Sequence, residues 1–194
     1  GFPAWLPLRL AVAGPPVLAA PVERTARRHW QSVEGRRLAL GLLAGESWQW
    51  GADAEGRPCL HNAAGARGPD VSISHSGNWV AAGVVARGRV GIDLETPRPG
   101  RDPLRLAQAY FSAAEIRWVA AEGEAAFLAC WTMREAVAKL TGGGLAAALA
   151  LDGAALLAGR NGMCRFGAGW VGHCDWGGGH LALAWSEAPD PLVF

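Results

Sequence analysis

At 194 residues, with 51% hydrophobic content and a mean hydropathy of +0.11, the chain is long enough for one large core or two small lobes and reads as packed and globular. A formal charge of +1 excludes a general nucleic-acid binder, which needs a large basic excess, and no apolar run approaches the length that spans a bilayer. The start at Gly1 without Met reads as trimmed, and Arg9 interrupts the first apolar run, so the layout of a secretory signal is missing.

Leu6 to Val12 predicts a first strand, ended by Gly14-Pro15-Pro16. Val22 to Ala44 predicts one or two helices with Trp30, Val33, Leu40 and Leu43 marking the apolar side. This segment gathers Arg24, Arg27, Arg28, Arg36 and Arg37 against Glu23 and Glu34. Such a cluster suits a multiply phosphorylated small molecule, or else the solvated face of a helix. A short strand at Trp48–Trp50 precedes a turn at Gly56-Arg57-Pro58, and Val71 to Ser74 alternates as a strand before a turn at His75–Asn78. Trp79–Ala86 and Arg89–Leu94 read as a hairpin joined at Arg87-Gly88.

Thr96-Pro97-Arg98-Pro99-Gly100 ends that strand and is the candidate boundary between two lobes, residues 1–97 and 98–194. Leu104–Tyr110 then reads as a helix, and Ser112 with Glu115 forms a capping box for a second helix. A third, Phe127–Leu140, is stopped by Gly142-Gly143-Gly144. Residues 164–166, 170–176 and 180–186 predict antiparallel strands, followed by a tail. Ten Trp residues fit core or lobe-interface packing. Cys59, Cys130, Cys164 and Cys174 are scattered without metal spacing, as in a reduced cytoplasmic protein. His173 and Cys174 are adjacent on a predicted strand, point to opposite faces and make a poor zinc pair.

The residues that point to chemistry begin at Val90–Glu95, VGIDLE. Val90, Ile92 and Leu94 bury one side of a strand, while Gly91, Asp93 and Glu95 share the other. Two carboxylates at i and i+2 repel, and the usual relief is a cation. Glu135, on the third helix, can join them only through folding. Together they make an oxygen-only site of the kind Mg2+ prefers when it also holds phosphate oxygens. Trp131, Glu135 and Lys139 follow at i, i+4 and i+8 along one helix flank, and Lys139 is the only lysine among eighteen basic residues. An ordinary surface pair of Glu135 and Lys139 is the plainer alternative.

Four blocks carry a family resemblance: Ile73–Val80 (ISHSGNWV), Val90–Glu95 (VGIDLE), Phe111–Glu115 (FSAAE) and Trp131–Lys139 (WTMREAVAK), closed by Gly142–Leu145. Weaker likeness covers Gly56–Cys59 and Gly35–Leu43. In this order and spacing the chain resembles the 4′-phosphopantetheinyl transferases of the two-lobed Sfp type. The resemblance implies an α+β fold of two similar lobes, each a small antiparallel sheet packed with helices and related by a pseudo-twofold axis. It implies transfer of the phosphopantetheine arm of coenzyme A to a serine of an apo acyl or peptidyl carrier protein, releasing 3′,5′-ADP.

By the same resemblance Asp93, Glu95 and Glu135 hold Mg2+, and Glu135, or a water it orients, takes the serine proton, with Lys139 beside it. Coenzyme A is expected to meet Arg36 or Arg37, Arg57, Ser74, His75 and Lys139, in the N-terminal lobe and on the Glu135 helix. Glu115 is either a capping residue alone or a neighbour of the metal, and Arg134 stands where many relatives have Lys. An acidic carrier protein needs an apolar dock with a basic rim, and Arg98, Arg101, Arg105 and Tyr110 fit that description. A monomeric cytoplasmic enzyme without nucleic-acid or membrane partners is expected. The alternatives are a carboxylate-metal phosphohydrolase or nuclease, and a non-catalytic coenzyme A-binding or scaffold module.

Overall fold

The computed structural model describes residues 8–14, 21–43, 47–54, 56–177 and 179–187. In chain order they hold β1 (Leu8–Ala13), α1 (Arg24–Gly41), β2 (Gln49–Ala52), β3 (Pro58–His61), β4 (Asp70–Ser76), β5 (Trp79–Val85) and β6 (Arg89–Glu95). There follow α2 (Pro103–Tyr110), α3 (Ala113–Glu122), α4 (Glu124–Thr141), α5 (Gly144–Ala150) and α6 (Gly153–Leu156), a 3-10 turn at Leu157–Gly159, and β7 (Met163–Phe166), β8 (Gly169–Trp176) and β9 (Gly179–Ser186). Leu6, the Pro15-Pro16 turn, Ala44 and the C-terminal tail fall outside the described residues. Among those residues the strands form sheets of order β1-β5-β4, β2-β3 and β6-β9-β8-β7, all antiparallel, so the class is α+β. No helix among them is long and apolar enough to cross a membrane.

Strand alternation sets the layers. One face of the three-stranded sheet meets α1 through Ala39, Val71, Ala82 and Val84. The other meets the four-stranded sheet, where Ala81 packs on Ile92, Leu94 and Leu181, and Val85 on Val90 and Leu183. On the far side α4 sets Met133, Ala136, Val137 and Leu140 against Val171, Ala182 and Ala184. Val90, Ile92 and Leu94 are therefore at most 1% exposed, which leaves Gly91, Asp93 and Glu95 to the α4 side.

The two sheets are joined along β4 and β6 by side chains instead of a backbone ladder. Asp70 Oδ2 accepts from Val90 N at 2.8 Å, Ser72 Oγ from Ile92 N at 3.0 Å, Ser74 Oγ from Leu94 N at 3.1 Å, and Ser76 Oγ from Thr96 N at 3.1 Å. Short polar residues at every second position of β4 thus satisfy every second N–H of β6, while β9 takes the opposite edge.

This arrangement corrects the expected hairpin of Trp79–Ala86 with Arg89–Leu94. β5 has β1 on one edge and β4 on the other, so no edge remains for β6, which crosses to the second sheet. The true hairpin is β4–β5, turned by Gly77-Asn78 with Gly77 at φ +58°, and β4 runs through His75 and Ser76 where a turn was expected. The apolar side of α1 is also corrected in part, since Leu43 packs on the core as expected. Val33 is 50% exposed and Leu40 36%, whereas Gln31, Glu34, Gly35 and Ala39 are buried. Small residues allow close approach there: a Cβ on Gly35 would lie 2.6 Å from Ile73 Cγ2, and Gln31 Nε2 donates to Gly77 O at 2.9 Å. α4 begins at Glu124, three residues before the expected Phe127, and the unforeseen α5 and α6 follow Gly142.

Candidate active site

Close contact between β6 and α4 is what gathers the acids. A Cβ on Gly91 would lie 1.9 Å from Ala136 O and 2.6 Å from Leu140 N, so glycine alone allows this approach. One turn along α4, Lys139 Nζ donates to Asp93 Oδ1 at 2.7 Å and to Ser74 Oγ at 3.0 Å. Ser74 Oγ in turn donates to Asp93 Oδ1 at 2.8 Å. Asp93 is 5% exposed, and its second oxygen, Oδ2, is buried without a hydrogen-bond partner. A buried carboxylate oxygen left in this way is costly, and a cation is the natural complement.

Glu95 accepts from Ser76 Oγ at 2.8 Å and from Arg98 Nη2 at 3.0 Å. The Glu135 carboxyl is pushed above its ordinary range, chiefly by burial and then by Asp93, with Lys139 opposing and Glu95 adding to the rise. The charges of Asp93 and Glu95 thus reach Glu135, although the ligand atoms of the three acids do not all lie within 4.8 Å of one another. Asp93, Glu95 and Glu135 could hold a hard cation through oxygen alone.

Two adjoining cavities open beside this cluster and share Gly56, Pro58 and Ile73. The first, about 270 Å³, is lined by Arg57, Ser72, Glu135 and Lys139. The second, about 320 Å³, is lined by Ser32, Arg36, Trp50 and His75. Arg36 lies over the Trp50 ring at 5.7 Å. Its neighbour Arg37 is bonded to Glu34 within α1 (Nε–Oε2 2.8 Å), so the helix turns Arg36 and not Arg37 into the cavity. His75 is exposed at the surface, yet partial desolvation by the surrounding protein holds its imidazole below its usual pKa, with Lys139 and Arg28 pushing the same way. Arg27 donates to the carbonyls of Pro21 and Val22.

Arg57 lines the first cavity, but its guanidinium is occupied by protein acceptors: Asp70, the carbonyls of Lys139 and Leu140, and Val90 O at 2.6 Å. It clamps the C-terminal turn of α4 to the β4–β6 seam. Among the expected docking residues, Arg98 pairs with Glu95, and Arg101, 14% exposed, lies over Phe127 at 5.5 Å. Arg105, Leu104 and Tyr110 are exposed on α2. Glu115 completes the capping box with Ser112 and is fully buried against Arg134 (Nη2–Oε2 2.7 Å). Arg134 Nη1 continues to the carbonyls of Ala148 and Leu151, which ties α3, α4 and α5 together. Trp131 stacks on Phe127 at 6.0 Å and sets the flank from which Glu135 projects.

Sequence reading missed Ser72 and Ser76, although the DVSISHS alternation of Asp70–Ser76 was a visible signal. It also missed Ser32 and Trp50. Ser32 stands i to i+4 from Arg36 on α1, but nothing local marks Trp50 as its platform.

The resemblance carried by the motifs is shown over the second half of the chain. Residues 89–180 match the sequence model of the 4′-phosphopantetheinyl transferase superfamily. The 4′-phosphopantetheinyl transferase psf-1 of Bacillus pumilus is 42% identical over 78 residues, 38% of this chain and 32% of its own. AcpT of Salmonella typhi, a 4′-phosphopantetheinyl transferase, is 40% identical over 76 residues, 37% of this chain and 40% of its own. HetI of Nostoc sp., of the same named activity, is 32% identical over 128 residues, 62% of this chain and 54% of its own. The chain spans about half the length of the curated relatives it matches.

Proposed function

We propose that this chain transfers the 4′-phosphopantetheine arm of coenzyme A to a serine hydroxyl of an apo acyl or peptidyl carrier protein, with Mg2+ held by Asp93, Glu95 and Glu135. The observation that carries this reading is the buried, unpartnered Oδ2 of Asp93 beside two further carboxylates, on the strand and helix whose sequences match the transferase family. When bound, the ion would offset charge on the pyrophosphate oxygens as the bridging bond weakens.

The chain's own residues do the remainder. Lys139, anchored on Asp93 and Ser74 at the cavity wall, offers its ammonium to phosphate charge. Arg36, Ser32 and His75 around Trp50 suit a phosphate and a flat base, with Arg36 taken as the 3′-phosphate contact over Arg37. Glu135, or a water it orients, is the group placed to take the serine proton, a role typically worth about 10²–10⁴-fold. In the step itself the serine oxygen bonds to the phosphorus next to the pantetheine, and the P–O bond to 3′,5′-ADP breaks. The serine proton passes to Glu135 or to a water it orients. The docking face is taken as α2, with Arg105, Leu104 and Tyr110.

The pseudo-twofold relation of two lobes, with one long helix against each sheet, belongs to the same proposal, as does a monomer working in the reducing cytoplasm with its four thiols free. Mass spectrometry of apo carrier proteins after incubation with the protein, coenzyme A and Mg2+ tests it. One phosphopantetheine added to the carrier serine is expected. Hydrolysis of coenzyme A without transfer points to a phosphohydrolase, and binding without turnover to a non-catalytic module; either outcome overturns the proposal.

A further inference from the structure

The β8–β9 hairpin gathers a second group of metal-ligating atoms that the transfer chemistry does not use. His173 and Asp175 are two apart on β8 and share a face, and His180 on β9 stands directly opposite Asp175. His173 Nε2 lies 3.0 Å from His180 Nδ1. Asp175 Oδ1 lies 2.9 Å from His180 Nδ1 and 3.6 Å from His173 Nε2. Both histidines are buried, while the Asp175 side chain is 78% exposed.

The hydrogen positions are constrained. His173 directs Nδ1 at the carbonyl of Arg160, 3.0 Å away, and a carbonyl only accepts. His173 therefore carries its hydrogen on Nδ1 and presents a lone pair at Nε2. The single hydrogen that a neutral His180 can place on Nδ1 then faces two acceptors, Asp175 Oδ1 and His173 Nε2, and cannot serve both well. An ion in place of that hydrogen would meet a lone pair from each residue. Separations of 2.9–3.6 Å are close to the edges of a tetrahedron of ligands about 2.0–2.2 Å from its centre.

We propose that His173 Nε2, His180 Nδ1 and Asp175 Oδ1 form a binding site for a divalent transition-metal ion, Zn2+ by its ligand preferences, separate from the carboxylates of the transfer site. Two imidazoles and one carboxylate favour Zn2+ over Mg2+, which prefers oxygen alone. The bond from His173 to the Arg160 carbonyl is the outer-shell contact that zinc-bound histidines commonly make. A bound ion would pin the hairpin end to the turn after Leu157–Gly159 and leave one position for water. His180 is also the register partner of Glu95, so the two sites are neighbours on one sheet and the test must separate them.

Chelator-stripped protein titrated calorimetrically with Zn2+ is expected to bind one ion per chain. His173→Ala and His180→Ala should each weaken binding by at least ~100-fold, the upper end of the effect of an outer-shell change. Asp175→Asn, at an exposed position where folding is not at stake, should weaken it by roughly 10-fold or more. Glu135→Gln should bind Zn2+ as the parent does. Zn2+ should also raise the Tm of the parent and shift that of Asp175→Asn less at the same concentration. Absence of Zn2+ binding, undiminished binding in folded histidine variants and in Asp175→Asn, or loss of binding in Glu135→Gln overturns the proposal.

Discussion

Glu135 is held in the fold at the expense of its charge. Its carboxyl sits above the ordinary range because burial and Asp93 disfavour ionisation. A carboxyl raised in the folded state gives stability that is full below the unfolded value of about 4.5 and is lost as pH rises through the folded value. At neutral pH the parent therefore carries a strain that Glu135→Gln lacks. That variant should melt at a higher temperature at pH 7, the gap closing as pH falls below 4.5, and it should lose transfer activity. His75 shifts the opposite way: partial desolvation, Lys139 and Arg28 hold it neutral at pH 7, and phosphate nearby would raise it. Coenzyme A binding should then take up a proton and tighten as pH falls through the His75 value. His75→Gln should flatten that dependence in calorimetric titrations; an unchanged profile removes His75 from the phosphate site. As candidates, Asp93, Glu95, Glu135 and Lys139 were legible from spacing and motif, and the Lys139–Asp93 contact is what the fold adds. That Arg36 and not Arg37 lines the cavity was not legible, because helix rotation about β4 is set by Gly35 against Ile73, a tertiary contact.

Elements meet here through positions where the sequence gives up bulk. Gly91 lets α4 approach β6, and Gly91→Ala should push them apart, destabilising by about 1–3 kcal/mol or more, as overpacking does. Ser72→Ala would leave the N–H of Ile92 buried without an acceptor and should reduce stability by about 1–3 kcal/mol in urea unfolding. Full stability in Ser72→Ala would mean that the seam is not held by these bonds. Most strands and helices were readable from alternation and caps, and the acid-bearing face of β6 followed from its apolar partners. The partner of β6 was not readable. A short connection at Arg87-Gly88 is compatible with a hairpin, and only the occupation of both β5 edges excludes it. The His173, Asp175 and His180 cluster was invisible for the same reason, since it depends on which residue of β9 lies opposite Asp175.

On the scale of the whole molecule, the proposed dock for an acidic carrier is the face of α2 that leaves Leu104, Arg105 and Tyr110 exposed. Arg98 and Arg101 lean on Glu95, so replacing them would disturb the site itself, whereas Arg105 and Tyr110 stand free of it. The pair Arg105→Glu and Tyr110→Ala should raise the carrier KM and leave coenzyme A binding unchanged; an unchanged KM removes α2 as the dock. All these expectations return to whether one ion bridges β6 and α4. The direct measurement is titration with Mn2+, a paramagnetic stand-in for Mg2+, followed by electron paramagnetic resonance with coenzyme A present. One ion per chain is expected at this site, weakened in each of Asp93→Asn, Glu95→Gln and Glu135→Gln and unaffected by Asp175→Asn. An ion retained at full affinity after Glu135→Gln, or none bound by the parent, contradicts this expectation.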